Sequence, residues 1–516
     1  MDFKNSVSTK TLQSDSMRFF KLERGIENLP SSSILIASLY RQIGLSTVDE
    51  ANVFLNSTIL FEKINGINKI GEKFNNEELK ILFNSALNIP ISQLQEKSNK
   101  FWVSPVIPVI GSFGLSARDN INPKKSIPWN PGAFLIGIIS NCIKEDDKFV
   151  EILEKLFNSL RINEDTSHDI WSVVLQNEFK SICENLKVGH FSNSFDKEKI
   201  LEYRDYRLKK IVYSSNFSKI LISDLNSLLD LEKELSRQQW IGLMEAFFRL
   251  TMFNHIINTL NLSRSYRDLI FSILSKGKKS IDNENFIDFI NFNVKLKNDS
   301  EKVLNIIRTD TDTKFINLNI KSYCHYNTFI EFLFLKYELN LENKFESIDS
   351  FINLTNELIK EIDSEATFNE VTQEFLKIHE LSINEISENS GTLKNIKESL
   401  EYLGRKKTSS GDYSRYIPDV NFLFCQNKNK QGNPFMFELS PGIISVLTGL
   451  IFKRLNGQNF ISGLEFVNEI KHYNIELSIK DISEGPINKI MLSLGIIVDS
   501  PDTEGGVLIV RPGWVS

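Results

Sequence analysis

Through the middle of this chain, hydrophobic residues recur at three- and four-residue steps. The segment SRQQWIGLMEAFFRLTMFNHIINTLNLS, Ser236 to Ser263, is broken by no Pro and by one glycine, Gly242. Trp240, Leu243, Ala246, Phe247, Leu250, Phe253 and Ile257 fall on one helical stripe. TFIEFLFLKYEL, IDSFINLTNELIKEID and FNEVTQEFLKIHEL carry the same pattern. No fixed repeat period runs through them, which argues against a solenoid. The pattern predicts an irregular multi-helix scaffold over 146–403.

Upstream, 1–145 reads as a helical domain interrupted by one extended segment. SSSILIASLYRQIG has serines at its start, apolar Ile34, Leu35, Leu39 and Tyr40, and a glycine at its end, the expected helix punctuation. FWVSPVIPVIGSFGLSARDNINPKKSIPWNPG is too rich in proline and glycine for a continuous helix and predicts an ordered extended loop with short strands. PGAFLIGIISNCI, Pro131 to Ile143, is the longest apolar run. A membrane span needs roughly 20 such residues, so this run predicts a buried helix or strand.

Near residue 404 the pattern changes. GRKKTSSGDYSRYIPD, Gly404 to Asp419, reads as a basic linker. Beyond it, 420–516 predicts a β-hairpin followed by a winged helix. VNFLFCQ and PFMFEL are β-prone runs joined by the polar turn NKNKQGN. Three helices then follow from their punctuation. SPGIISVLTGLIFKRLNG opens on Ser-Pro, places Ile444, Leu447 and Ile451 on one face and stops at Asn456-Gly457. SGLEFVNEIKHYN sets Ser462 and Glu465 at capping-box spacing, with Leu464, Val467 and Ile470 inward and Phe466 flanking. SEGPINKIMLSLG begins at Ser483, turns Ile487, Ile490, Met491 and Leu494 inward and ends at Gly495. IIVDSPDTEGGVLIVRP reads as two β runs across an acidic Gly-Gly turn, the position of a wing. The fold class expected is therefore mainly α, with a small hairpin and a C-terminal winged helix-turn-helix-like domain.

Charge alters what that module is expected to touch. The whole chain carries −6 at neutral pH and a pI near 5.8, which argues against a surface that grips phosphate throughout. From Phe435 to the end there are nine acidic residues against six basic. The third helix offers Asn488, Lys489 and Ser493 outward, and the wing carries Asp499, Asp502 and Glu504 with Arg511 as its cation. DNA affinity comes largely from Lys and Arg on phosphates. The acidic wing is accordingly read as a protein-docking element. The concentrated basic stretch is Arg405, Lys406, Lys407 and Arg415, interleaved with Tyr413 and Tyr416. That combination suits a nucleic-acid backbone as well as a solvated linker; SKGKKS (275–280) and RLKK (207–210) are read as solvated. The 38 phenylalanines against 12 tyrosines indicate aromatic cores, not base-stacking surfaces.

No catalytic constellation emerges. Cys142, Cys183, Cys324 and Cys425 form no CxxC, which argues against zinc or a disulfide framework and points to a reducing cytoplasm. The start MDFKNSVSTKTLQSD has no apolar run after its charges, so no signal peptide is expected. VIGSFGLSARDN has Gly111 and Gly114 but no GK[ST]. Pro418-Asp419 and Gln426-x-Lys428 lie too close together for a nuclease metal site and lack a second acid. His168, His190, His255, His325, His379 and His472 show no HxH or HExxH. No cofactor and no metal are expected.

The tail FELSPGIISVLTGLIFKRLNGQNFISGLEFVNEIKHYNIELSIKDI…INKIMLSLGIIVDSPDTEGGVLIVRPGW, Phe437 to Trp514, resembles the C-terminal end of DptG-like accessory subunits of phosphorothioation-dependent DNA restriction, a bacterial phage-defence system. The resemblance implies a partner of an ATPase or helicase-type subunit, in a complex that attacks DNA lacking the protective modification. It implies no catalytic residues. The function expected is a non-enzymatic, cytoplasmic subunit that docks to other proteins through its helices and acidic wing, with DNA reached through the complex and no membrane. The alternative is a DNA-binding winged-helix protein, a regulator or recognition subunit, using the wing domain or the 404–416 stretch.

Overall fold

The computed structural model describes residues 131–143, 145–161, 195–204, 216–276, 421–426, 435–455, 458–499 and 507–515, with 35–36, 39–40, 43 and 404. These residues are mostly helical and carry a small three-stranded antiparallel sheet and one hairpin. Of the helix read over 31–44, five helical, buried positions are described, among them Leu35, Leu39 and Tyr40, and Tyr40 stacks on Phe157 at 5.1 Å. The extended reading of 101–130 and the helices read between residues 277 and 403 lie outside the described residues.

The apolar run is a helix, α1 (Pro131–Cys142), and α2 (Asp146–Leu160) follows it closely. An arginine fastens this joint. Arg204, at the end of α3 (Lys197–Tyr203), donates to Ser140 Oγ at 3.0 Å and to the carbonyls of Ser140 and Ile143, pairs with Asp146, and lies 4.5 Å from the Phe149 ring. The last carbonyls of a helix have no intrahelical donor, and a guanidinium serves them well. Arg237 does the same for α2, donating to the carbonyls of Ser159 and Leu160 at 2.7 and 2.5 Å.

Helix α4 (Asn216–Asp230) packs on α1, α2 and the next helix, α5 (Arg237–Lys276). Trp240 opens α5 as a fully buried anchor whose indole donates to Leu228 O at 2.8 Å. The predicted stripe is present, yet α5 is buried on every side from Ala246 to Ile257, Arg249, Thr251, Asn254 and His255 included. It is a central helix and not an amphipathic surface one.

The hairpin pairs β1 (Phe424–Gln426) with β2 (Phe435–Phe437), Cys425 opposite Met436. Then α6 (Pro441–Arg454) packs along α5. Ser440 caps it by accepting from Ile443 N, with Pro at its first turn. Phe253 meets Phe437 edge-on at 6.0 Å, tying α5 to β2. β3 (Phe460–Ser462) precedes α7 (Gly463–Ile470), where the Ser462–Glu465 capping box is complete. α8 (Ile479–Ser483) has a second capping box, Ser478 with Asp481. α9 (Pro486–Ser493) leads into β4 (Ile497–Asp499) and β5 (Val507–Val510). The sheet order is β3-β5-β4, all antiparallel.

Three details differ from the pattern reading. The third helix does not start at Ser483, because α8 ends there and α9 starts at Pro486. On α7 the buried stripe is rotated: Phe466 is buried, whereas Leu464 at the second position is 39% exposed. Leu494 is exposed too, since it is the C-cap of α9 and not part of its inner face. Gly495 does hold a left-handed φ of 68°, as a C′ glycine should.

The chain end is seated against α6. Trp514 donates to Ser445 Oγ at 3.3 Å, and a Cβ built on Gly449 would lie 1.8 Å from the Trp514 ring. Gly449→Ala therefore has to expel the indole. A cost of about 1–3 kcal/mol is expected from such overpacking, read by urea unfolding. In a Trp514→Ala background the same change should cost little. Equal costs in the two backgrounds would show that the indole does not occupy this slot.

Candidate interaction surface

Inside the C-terminal unit, one buried charge cluster joins it to the helical frame. Arg454, the last residue of α6, donates to both oxygens of Asp224 on α4 at 2.9 and 3.1 Å and to Glu469 on α7 at 3.2 Å. It also donates to Tyr473 Oη at 2.5 Å, and its guanidinium lies 5.2 Å from that ring. Tyr473 Oη in turn donates to Asp224 at 2.6 Å. Burial pushes the Asp224 carboxyl up, and Arg454 and the Tyr473 hydroxyl pull it back. Burial also drives the Tyr473 phenol well above its ordinary value. Burial alone would lower Arg454; its contacts with Tyr473 and Asp224 outweigh that and raise it. These bonds link α4, α6 and α7, so the cluster's role is to hold the three together.

The surface of the unit is set by the sheet. Alternation along the strands puts Ile461, Ile509, Ile497 and Val507 on the inner, buried side. The opposite side carries Phe460 across from Val510, and Ser462 across from Leu508 and Val498. Phe460 is 55% and Val498 48% exposed. Beside this face, α9 exposes Pro486, Lys489, Leu492 and Ser493. Glu465 stands at the edge, where it accepts from Ser462 N and Oγ at 2.7 and 2.8 Å. Those bonds hold its carboxyl below the ordinary value, backbone contact first.

Of the wing acids, Asp499 closes β4 opposite Val507 in the backbone ladder. Asp502 and Glu504 lie outside the described residues, as do Arg405, Lys406, Lys407 and Arg415. The frame around the basic stretch is nonetheless described. Leu423 N donates to Gly404 O at 2.7 Å, and Gly404, Asn421, Phe422 and Leu423 are buried. Gly404 and Leu423 thus lie side by side in the core.

Comparison with protein-family models, curated proteins and solved structures finds no match. The surface must then be read from its own residues. Among the described residues no group of three or more His, Cys, Asp or Glu could hold a metal ion, and no helix is long and apolar enough to cross a membrane. His255 is a core residue on α5, edge-on to Phe134 at 5.2 Å, and burial pushes its imidazole down to about 3. His472 is exposed in the turn after α7. His168, His190, His325 and His379 lie outside the described residues.

The pattern reading missed the Asp224–Arg454–Tyr473 cluster and β3. Neither had a usable signal: the cluster's members lie 230 and 249 positions apart, and β3 is three residues long. The exposed apolar row could have been found, because β-alternation through VLIV assigns Leu508 and Val510 to one side.

Proposed function

We propose that the C-terminal unit is a winged helix that docks protein, and that the chain is a non-enzymatic subunit of a bacterial phage-defence or DNA-restriction complex. What supports the winged-helix reading is the order of the three helices read from the sequence, α6, α7 and α9, with β3 between α6 and α7 and the strands β4 and β5 after α9. The observation that carries the docking reading is the outward side of α9 and the sheet. A helix that reads a major groove presents cations and amides to phosphates and bases. On α9 the outward cation is Lys489, with Leu492 exposed on the same helix, and the sheet exposes Phe460 and Val498. An apolar, acid-flanked surface loses free energy against DNA and gains it against protein.

The resemblance of Phe437–Trp514 to DptG-like subunits supports an ATPase or helicase-type partner, with DNA reached through that partner. In gel shifts the full chain alone should show no salt-sensitive binding to duplex DNA. Purified from its host with a tag, it should bring a nucleotide-hydrolysing subunit with it. Replacing Asp499, Asp502 and Glu504 by lysine should weaken that assembly. Duplex binding that falls with salt, and falls again when Arg405, Lys406 and Lys407 become alanine, would overturn this reading in favour of a DNA-binding protein.

A further inference from the structure

The outer side of the three-stranded sheet has a definite shape and charge. Its apolar residues come from all three strands: Phe460 on β3, Leu508 and Val510 on β5, and Val498 on β4. Phe460 and Val498, on the two edge strands, are the most exposed, and Leu508 and Val510 between them are half-buried. Three strands at a spacing of about 4.8 Å make a face roughly 10 Å across. One α-helix with its side chains is about 10–12 Å wide. The face is about as wide as a single helix.

Its ends differ in charge. At the Ser462–Val498 end, Glu465 is fixed by its bonds to Ser462, and Asp499 follows Val498 directly as the last residue of β4. At the other end Arg511 follows Val510. A second copy of this chain would bring the same acids to the same face and adds to a net charge of −6. Nucleic acid, whose affinity comes largely from Lys and Arg on phosphates, is repelled by the acids. The remaining complement is a helix with apolar residues at three- and four-residue steps and lysine or arginine beside them.

We infer that the outer sheet face formed by Phe460, Leu508, Val510 and Val498 receives one basic amphipathic helix from a partner protein. This rests on the protein-docking reading and names what docks. The site is independent of the buried Arg454 cluster, so it can be altered without loosening the fold.

The experiment uses the full-length chain in its host complex, with the photoreactive residue p-benzoylphenylalanine in place of Phe460. Irradiation and peptide mapping should place the adduct on a partner subunit, in a segment with lysine or arginine at helical spacing beside apolar residues. Phe460→Asp with Val498→Asp should lower recovery of that subunit about tenfold or more. Both positions are exposed, so the urea midpoint of the variant should match the parent. If it does not, Phe460→Thr with Val498→Thr, which keeps strand propensity, serves in its place and should still lower recovery. An adduct on a second copy, on this chain itself or on a segment without cations overturns the inference. So does unchanged recovery of the partner with the aspartate or threonine pair, and in that case the docking reading stands by another surface. If the parent chain recovers no partner at all, the docking reading itself fails and takes this inference with it.

Discussion

Arg454→Ala should destabilise this protein by about 3–5 kcal/mol, the usual cost of removing one member of a buried ion pair. The reason is what it leaves behind. Asp224 is 1% exposed, and Arg454, itself only 17% exposed, supplies its counter-charge. Without the guanidinium the carboxylate keeps the Tyr473 hydroxyl at 2.6 Å and no cation in the cluster. Glu469 loses its partner as well, but it is a quarter exposed and water can replace the contact. Asp224→Asn should cost less. It removes the buried charge, keeps an oxygen for Tyr473 and Arg454 to bond, and leaves Arg454 the carboxylate of Glu469. Replacing the cluster together, Asp224→Leu with Arg454→Met and Tyr473→Phe, should recover most of the loss, because a buried ion pair can often be exchanged for apolar groups of similar volume and no buried hydroxyl is then left without its partners. Urea unfolding of the four chains, with slopes compared as well as midpoints, measures this.

The same cluster predicts how that deficit varies with pH. Burial raises Asp224 above its ordinary value. Between the ordinary and the raised value, the folded chain holds a proton that the unfolded chain has released. The contribution of this group to stability therefore falls as pH rises through that window and grows as pH is lowered. Loss of Arg454 takes away one of the influences holding Asp224 down, so the window widens. The Arg454→Ala deficit should shrink on acidification, as protonation discharges the stranded carboxylate. A deficit that grows on acidification would mean that Asp224 is not the source of the instability.

What could be foreseen from residue order is local. Ser440-Pro441, the Ser462–Glu465 box and Gly495 each act within four residues, and each is present where the spacing put it. The hairpin β1–β2 follows for the same reason. Burial all round α5 did not follow, because a stripe at three- and four-residue steps predicts one inward face and does not reach Arg249, Asn254 and His255. A helix enclosed by α1, α4 and α6 has no outward side through that region, and its polar residues are buried with the rest. Ser478–Asp481 uses Asp where the pattern looks for Glu, so α8 went unread. The outer sheet face sits between these cases. Half of it is visible in the alternation of β5, and the other half needed β3 and β4 brought alongside by tertiary pairing. The basic stretch shows the same limit: its composition is plain, but the bond from Leu423 N to Gly404 O joins its two ends only once the chain is folded.

His255 should make the protein acid-sensitive well above the carboxylate range. Its imidazole is fully buried on α5, and burial lowers it from 6.5 to about 3. Above 6.5 it is neutral in the folded and unfolded chain alike, and its contribution to stability is fully present. As pH falls below 6.5 the unfolded chain takes up a proton that the folded chain refuses, and stability is lost at about 1.4 kcal/mol per pH unit. That slope continues down to about pH 3. Between pH 7 and 5 the loss from this one group should be about 2 kcal/mol. Asp224 acts in the opposite direction over the same side of the scale, so the two must be separated by variant and not by the parent profile alone. His255→Gln removes the titration while keeping an amide of similar reach. The variant's unfolding free energy should hold nearly level from pH 7 to 5 where the parent declines, whatever its absolute value at pH 7. Parallel profiles for the two chains would show that the folded protein accepts a proton at His255, and hence that water or a carboxylate reaches the centre of α5. That outcome would remove His255 from the core and make it a candidate for chemistry, so this one pH comparison also tests whether the helical frame is the inert scaffold that a docking subunit requires.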